Sequence, residues 1–307
     1  MSSSTSDINF MDCTKETCTV EQSVYGYYPS AVASYIFIVV FGVSALAHVI
    51  QGVMTRSWSF MTVMAIGIVL EAIGYVGRVL MRDDPFSAAF IAIQLICITV
   101  APTFIAAGIY LTLKHFIIVH GSQFSRLAPK WYTWIFITSD ITSIIIQSIG
   151  AILASNGSST TTGNAIIVTG LSTQVLTLLI FGLMVLDVYL RIRTHSHQSQ
   201  HATISPELDF TSSTKALRES RRFKILVASL VVAYAAILIR CIYRIAEMAG
   251  GWMNEIMQDQ ISFVILESVM MGIVVLALNV GHPGFMFVLT KKVGEKGGDE
   301  DPEMAGV

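Results

Sequence analysis

Residues 31–53 read AVASYIFIVVFGVSALAHVIQGV, a run without Asp, Glu, Lys or Arg. Coiled as an α-helix at about 1.5 Å per residue, it is long enough to cross a hydrocarbon core about 30 Å thick. Its apolar residues are continuous rather than alternating, which favours a helix over a barrel strand. Six further runs, apolar apart from a few charges, lie at 60–80, 88–113, 131–154, 165–190, 223–246 and 260–289. The expected fold is therefore an all-α polytopic membrane protein, a seven-transmembrane-helix bundle over residues 31–290. Composition agrees: 53% of the 307 residues are hydrophobic and 13% are charged, about half the usual charged share of roughly 25%. Mean hydropathy is +0.66. So little charge does not cover a water-facing surface of this size, which argues against a soluble enzyme, a disordered chain or a nucleic-acid binder.

Residues 1–30 form a polar segment without a signal-peptide core, so no cleaved signal is expected. Lys and Arg set the orientation. One side of the seven spans carries only Lys15 and Arg82. The other carries Arg56, Lys114, Arg126, Lys130, Arg191, Arg193, Lys215, Arg218, Arg221, Arg222, Lys224, Lys291, Lys292 and Lys296. Fourteen against two predicts an N-terminus outside and a C-terminus in the cytosol. Cys13 and Cys18, in the extracytoplasmic N-terminal segment, admit a local disulfide. Cys97 and Cys241 lie in apolar runs and read as packing residues. The basic connection 191–222 suits anionic headgroups or a cytosolic partner. The tail 291–307 reads as disordered, and Asn156-Gly157-Ser158 is a glycosylation sequon on the outer side.

A charged side chain near the bilayer centre costs about 2.5–3.5 kcal/mol or more on insertion scales, so each one is a candidate functional group. Glu71, Tyr75 and Arg78 recur at i, i+4, i+7 and share one face of the second span. Arg240, Arg244 and Glu247 repeat that spacing in the sixth, and Glu267 joins them from the seventh. With Gln94, Gln147 and Gln174 they form a candidate substrate-binding cluster in the outer half, where three arginines and three glutamates neutralise one another. A second group toward the cytosol comprises His48, Gln51, Asp140, Asn279 and His282; Asp140 and Gln147 share a face that links the two groups. Glu–Arg pairs also hold helix bundles together, so structural pairing and ligand contact both stay open. Pro102 and His282-Pro283-Gly284 interrupt their helices and free backbone carbonyls. No catalytic set, metal site or cofactor is expected.

Known seven-span motifs are missing. The last span has no Lys for a retinal Schiff base, the third has no Asp/Glu-Arg-Tyr end, and the seventh has no Asn-Pro-x-x-Tyr. A single His there falls short of the paired ligands of ceramidase-type hydrolases, and no P-loop occurs. The positive match lies in ordered strings: Tyr25-Gly26-Tyr27-Tyr28-Pro29-Ser30, Glu71 through Arg78, Ala101-Pro102-Thr103-Phe104, Asp140 with Ser143, Gln147 and Gly150, Tyr243 through Glu247, and Asn279 through Gly284. This pattern resembles the fungal lipid-translocating exporter family, which includes aminocholesterol-resistance proteins and sphingoid long-chain-base exporters. The chain departs from it in carrying Glu267 where members often have Asp. The resemblance implies a plasma-membrane or endomembrane protein that exports or binds lipids or amphiphiles and serves stress or drug resistance. Its expected partners are membrane lipids and an amphiphile ligand, with room for a cytosolic partner on loop 191–222 and for a homo-oligomer. Alternatives are a seven-span lipid sensor signalling to a cytosolic partner and, more weakly, an intramembrane lipid hydrolase using His48 or His282.

Overall fold

A computed structural model describes residues 13, 15–120, 129–155, 160–198 and 220–285. Asn156, the 291–307 tail and most of the 191–222 connection lie outside the described residues. Seven helices are long and apolar enough to cross a membrane. They are α1 (Ala31–Thr55), α2 (Trp58–Asp83), α3 (Ala88–His120), α4 (Pro129–Ser155), α5 (Thr160–Gln198), α6 (Arg221–Ala249) and α7 (Gln260–Val280). The protein is an all-α integral membrane protein. Ser30 caps α1 by accepting from the Ala33 amide, Ser220 caps α6 through the Phe223 amide, and Asp259 caps α7 through the Ile261 amide. Each supplies one acceptor for the amides that a first helical turn leaves unpaired.

The helices follow one another around a closed ring, α1 returning to α7, with α3 also touching α6 across the middle. Glycines set the closest approaches. A Cβ at Gly74 would stand 2.5 Å from Ile98 Cγ1, and one at Gly163 would stand 2.4 Å from the Ala154 amide nitrogen. So α2 lies tightly on α3, and α4 on α5, in the manner of membrane helices that meet through small residues. Large apolar side chains face outward, Val32, Val43, Leu46, Trp134, Leu183 and Val280 among them. Lipid, not water, is the solvent these faces fit.

Three helices differ most from the apolar runs. Helix α3 continues past 113 to His120. Helix α5 extends beyond 165–190 at both ends, through polar residues that continue its turns. Helix α7 ends at Val280 although the apolar run continues to 289, because Pro283 has no amide hydrogen and disfavours helical geometry just before it. Within α7, Val264–Val269 widens into a π-helical turn that includes Glu267. Such turns concentrate at functional sites.

Residues 15–30 fold back over the end of the bundle where α1 begins. Cys13 and Cys18 are joined by a disulfide. Lys15 Nζ donates to the Asp83 carbonyl at 2.9 Å, and Arg82 donates to the Pro29 carbonyl at 3.2 Å. Gly26 adopts φ +67°, a left-handed turn that glycine takes without steric penalty. It directs the two flanking tyrosines down into the bundle.

Candidate functional site

The polar cluster lies under that segment. Glu71, Tyr75, Arg78, Gln94, Arg240, Arg244, Glu247 and Glu267 come together from α2, α3, α6 and α7, none more than 3% exposed. Arg240 donates from Nε (2.8 Å) and Nη2 (2.6 Å) to Oε1 of Glu267. Its Nη2 also donates to the Ile98 carbonyl at 2.7 Å. Pro102 explains that third bond: the residue four places after Ile98 has no amide hydrogen, so this carbonyl has no helical donor. A guanidinium from another helix supplies it.

Arg244 makes the second ion pair, Nη1 to Glu247 Oε2 at 2.5 Å, and its Nη2 donates to Thr99 at 3.2 Å. The remaining two charges of the cluster do not pair. Among the described residues no carboxylate lies within 4 Å of Arg78. Its guanidinium instead lies 3.9 Å from the centroid of the Phe263 ring, with the Tyr25 and Tyr27 rings at 5.7 and 5.6 Å. Nη2 donates to the Tyr27 hydroxyl at 2.7 Å. Aromatic faces hold this cation through their quadrupoles. Glu71 is fully buried, and neither oxygen makes a hydrogen bond or ion pair. It is within electrostatic reach of Glu267, Arg240 and Arg244. Mutual neutralisation of three arginines by three glutamates thus holds as direct pairing for two of each, and fails for Arg78 and Glu71.

Tyr25 accepts from Gln94 Nε2 at 3.0 Å. Burial pushes the Tyr25 and Tyr27 phenols above their ordinary range, with Glu247 adding to the effect. Both stay neutral and roof the site with aromatic surface.

The other residues singled out in the sequence form separate groups. Gln147 and Gln174 share a hydrogen bond at 3.4 Å, and Gln174 passes it on to Thr103. Asp140 accepts from the Tyr110 hydroxyl at 3.0 Å. Ser143, between Asp140 and Gln147 on α4, bonds its own helix at the Ser139 carbonyl. The polar face of α4 is therefore two local patches rather than a link. At the opposite end of the bundle, Asn279 donates to Ser44, and Gln51 donates to the Asn279 carbonyl. The rings of His48 and His282 are 5.9 Å apart, against Phe60. Among the described residues no third His, Cys, Asp or Glu joins them to complete a metal site.

Sequence reasoning expected Pro102 to free a carbonyl but did not place it at Ile98, and it gave no role to Thr99, Thr103, Phe263 or Tyr110. Only the carbonyl left a signal, since a proline within a span points to a free carbonyl four residues earlier.

Together these features define a class: a polytopic membrane protein whose seven helices enclose a charged site that is neutral in sum and roofed by aromatic residues. Within that class the chain belongs to the RTA1-like protein family, whose pattern matches residues 64–290. It is 33% identical to the sphingoid long-chain base transporter RSB1 of Saccharomyces cerevisiae strain Lalvin EC1118, over 89% of this chain and 76% of the relative. Protoporphyrin uptake protein 1 of S. cerevisiae strain S288c is 28% identical, over 70% of this chain and 66% of its own. The probable lipid transporter atnI of Emericella nidulans is 25% identical, over 87% and 69%. No solved structure matches.

Proposed function

We propose that the protein translocates lipids or lipid-like amphiphiles across the membrane, with sphingoid long-chain bases as the leading substrate class. Family membership supports a lipid-transporting role, and relatives named as sphingoid-base and lipid transporters support the substrate class. The observation that carries the reading is Glu71. A bundle that needed charge only as glue would pair it, yet neither oxygen of this carboxyl makes a hydrogen bond or ion pair. It is the one acid of the cluster with both oxygens free, and a cationic amine head is the partner that suits it. In this reading the N-terminus faces outside and the C-terminus the cytosol, in the plasma membrane, with Lys and Arg concentrated on the cytosolic side.

The test uses vesicles holding the full chain and a fluorescent long-chain base whose outer-leaflet label is quenched chemically. Wild-type protein speeds leaflet exchange over empty vesicles. Glu71→Gln keeps the side chain's shape and removes no hydrogen bond or ion pair, and its unfolding profile, read beside the exchange rate, separates loss of fold from loss of transport. A lost charge-assisted bond to the amine, about 1.5–3 kcal/mol, slows exchange roughly 10- to 100-fold. Exchange by Glu71→Gln at the wild-type rate overturns the assignment. Unchanged exchange between empty and wild-type vesicles overturns translocation itself.

A further inference from the structure

We infer that the half-open crevice between α3 and α4 is a lateral binding site for a single-chain membrane amphiphile with a hydroxyl-bearing head. The inference deepens the translocator reading and rests on it for the nature of the ligand. The crevice encloses a cavity of about 100 Å³.

Its position follows from the packing. Glycines draw α2 onto α3 and α4 onto α5, leaving two tight hairpins with a seam between them. On α4 the seam is lined by Ser148 and Ala151, too small to fill it. Those two residues and Ile96 of α3, 62% exposed, form the mouth. They belong to the lipid-facing surface, so the crevice opens into the bilayer. The charged cluster behind it is roofed by Tyr25 and Tyr27, which makes the side the accessible approach.

The walls are apolar and suit an alkyl chain, while the inner end is polar. Arg244, 2% exposed, lines both the crevice and the charged cluster, and so connects them. Its charge is already met by Glu247 and its Nη2 by Thr99. The inner end therefore has no net charge to hold an anion. It offers hydroxyl, amide and guanidinium groups from Thr99, Gln147 and Arg244, the chemistry that recognises hydroxyls.

The test is photolabelling of the full chain in phosphatidylcholine vesicles with a diazirine-bearing long-chain amino diol, mapped by peptide mass spectrometry. Labels concentrate on Ile96, Ile144, Ser148 and Ala151. Ala151→Phe fills the mouth from a lipid-exposed position, keeps the wild-type melting profile, and lowers labelling there at least tenfold. Unlabelled amino diol competes at least tenfold better than an alkylamine of equal length. Labels spread evenly over lipid-facing residues, or surviving Ala151→Phe, overturn the site; equal competition by the alkylamine overturns the hydroxyl recognition. Crevice labelling without leaflet exchange by the wild type removes the translocator reading and leaves the site standing. Exchange at the wild-type rate by Ala151→Phe removes the crevice from the path and leaves translocation standing.

Discussion

Arg240→Met removes the guanidinium that serves both Glu267 and the carbonyl orphaned by Pro102. Two separable penalties follow. A fully buried carboxylate that loses its partner destabilises by about 3–5 kcal/mol. A buried carbonyl left without a donor adds about 1–3 kcal/mol. Their sum, about 4–8 kcal/mol, approaches the total stability of many proteins, about 5–15 kcal/mol. Each penalty has its own rescue. Arg240→Met with Glu267→Met removes the stranded charge and recovers about 3 kcal/mol or more. Arg240→Met with Pro102→Ala returns an amide donor to Ile98 and recovers about 1–2 kcal/mol. In the wild-type background Pro102→Ala gains little through this carbonyl, because Arg240 already serves it. Equilibrium unfolding in mixed micelles, followed by circular dichroism, reads all six proteins, the Glu267→Met single variant included so that the 240/267 cycle closes. A coupling near zero between positions 240 and 267, or an equal effect of Pro102→Ala in both backgrounds, would refute the account.

Three further outcomes are expected. Tyr27→Phe removes the hydrogen bond to the caged Arg78 and lowers stability by about 1.5–3 kcal/mol in the same unfolding assay, whereas Tyr28→Phe, at a half-exposed position, changes it by less than about 0.5 kcal/mol. Gly163→Val drives a side chain into the Ala154 backbone and abolishes a monodisperse peak in size-exclusion chromatography, while Gly42→Val, with open space around it, elutes as wild type. An epitope before residue 13 is stained on intact cells and one after residue 296 only after permeabilisation; the reverse pattern contradicts the orientation set by fourteen cationic residues against two.

What could be read from sequence follows from where each constraint resides. The bilayer forces about 20 apolar residues into every span, so the spans stand within the runs that mark them. The i, i+4, i+7 spacing is a local property of one helix, so Glu71, Tyr75 and Arg78 share their buried face as expected, and Arg244 meets Glu247 three residues on. Pairing across helices is not local. Arg240 takes Glu267, 27 residues away, rather than Glu71, because α6 packs on α7 and the π-turn brings Glu267 into register. The cage around Arg78 combines residue 263 with residues 25 and 27, and the string from Tyr25 to Ser30, read only as part of a family pattern, gave no hint of it.

The same asymmetry bears on how a head could cross. Between the charged cluster and the Asn279 group lie Met64, Ile68, Ile105, Met271, Val274, Val275 and Leu278, all fully buried. From Glu71 to Met64 is seven residues along α2, about 10 Å of helix. A polar group entering that layer without a partner meets a penalty of roughly 2–7 kcal/mol, and a charged one far more. Along the bundle axis the structure is therefore closed beyond the cluster; the Arg240–Glu267 pair strengthens the seal by fixing α6 to α7, and hydrogen bonds from Arg240 to Ile98 and from Arg244 to Thr99 fix α6 to α3. An amphiphile has two ways past it. One requires those contacts to open and the apolar layer to part. The other keeps the chain in lipid and carries only the head along the α3/α4 seam. Replacing the Arg240–Glu267 pair by two methionines separates them: it leaves the residues lining the seam untouched and removes a pair that must open on the axial route, so faster exchange marks passage through the cluster, and exchange at the wild-type rate follows the seam.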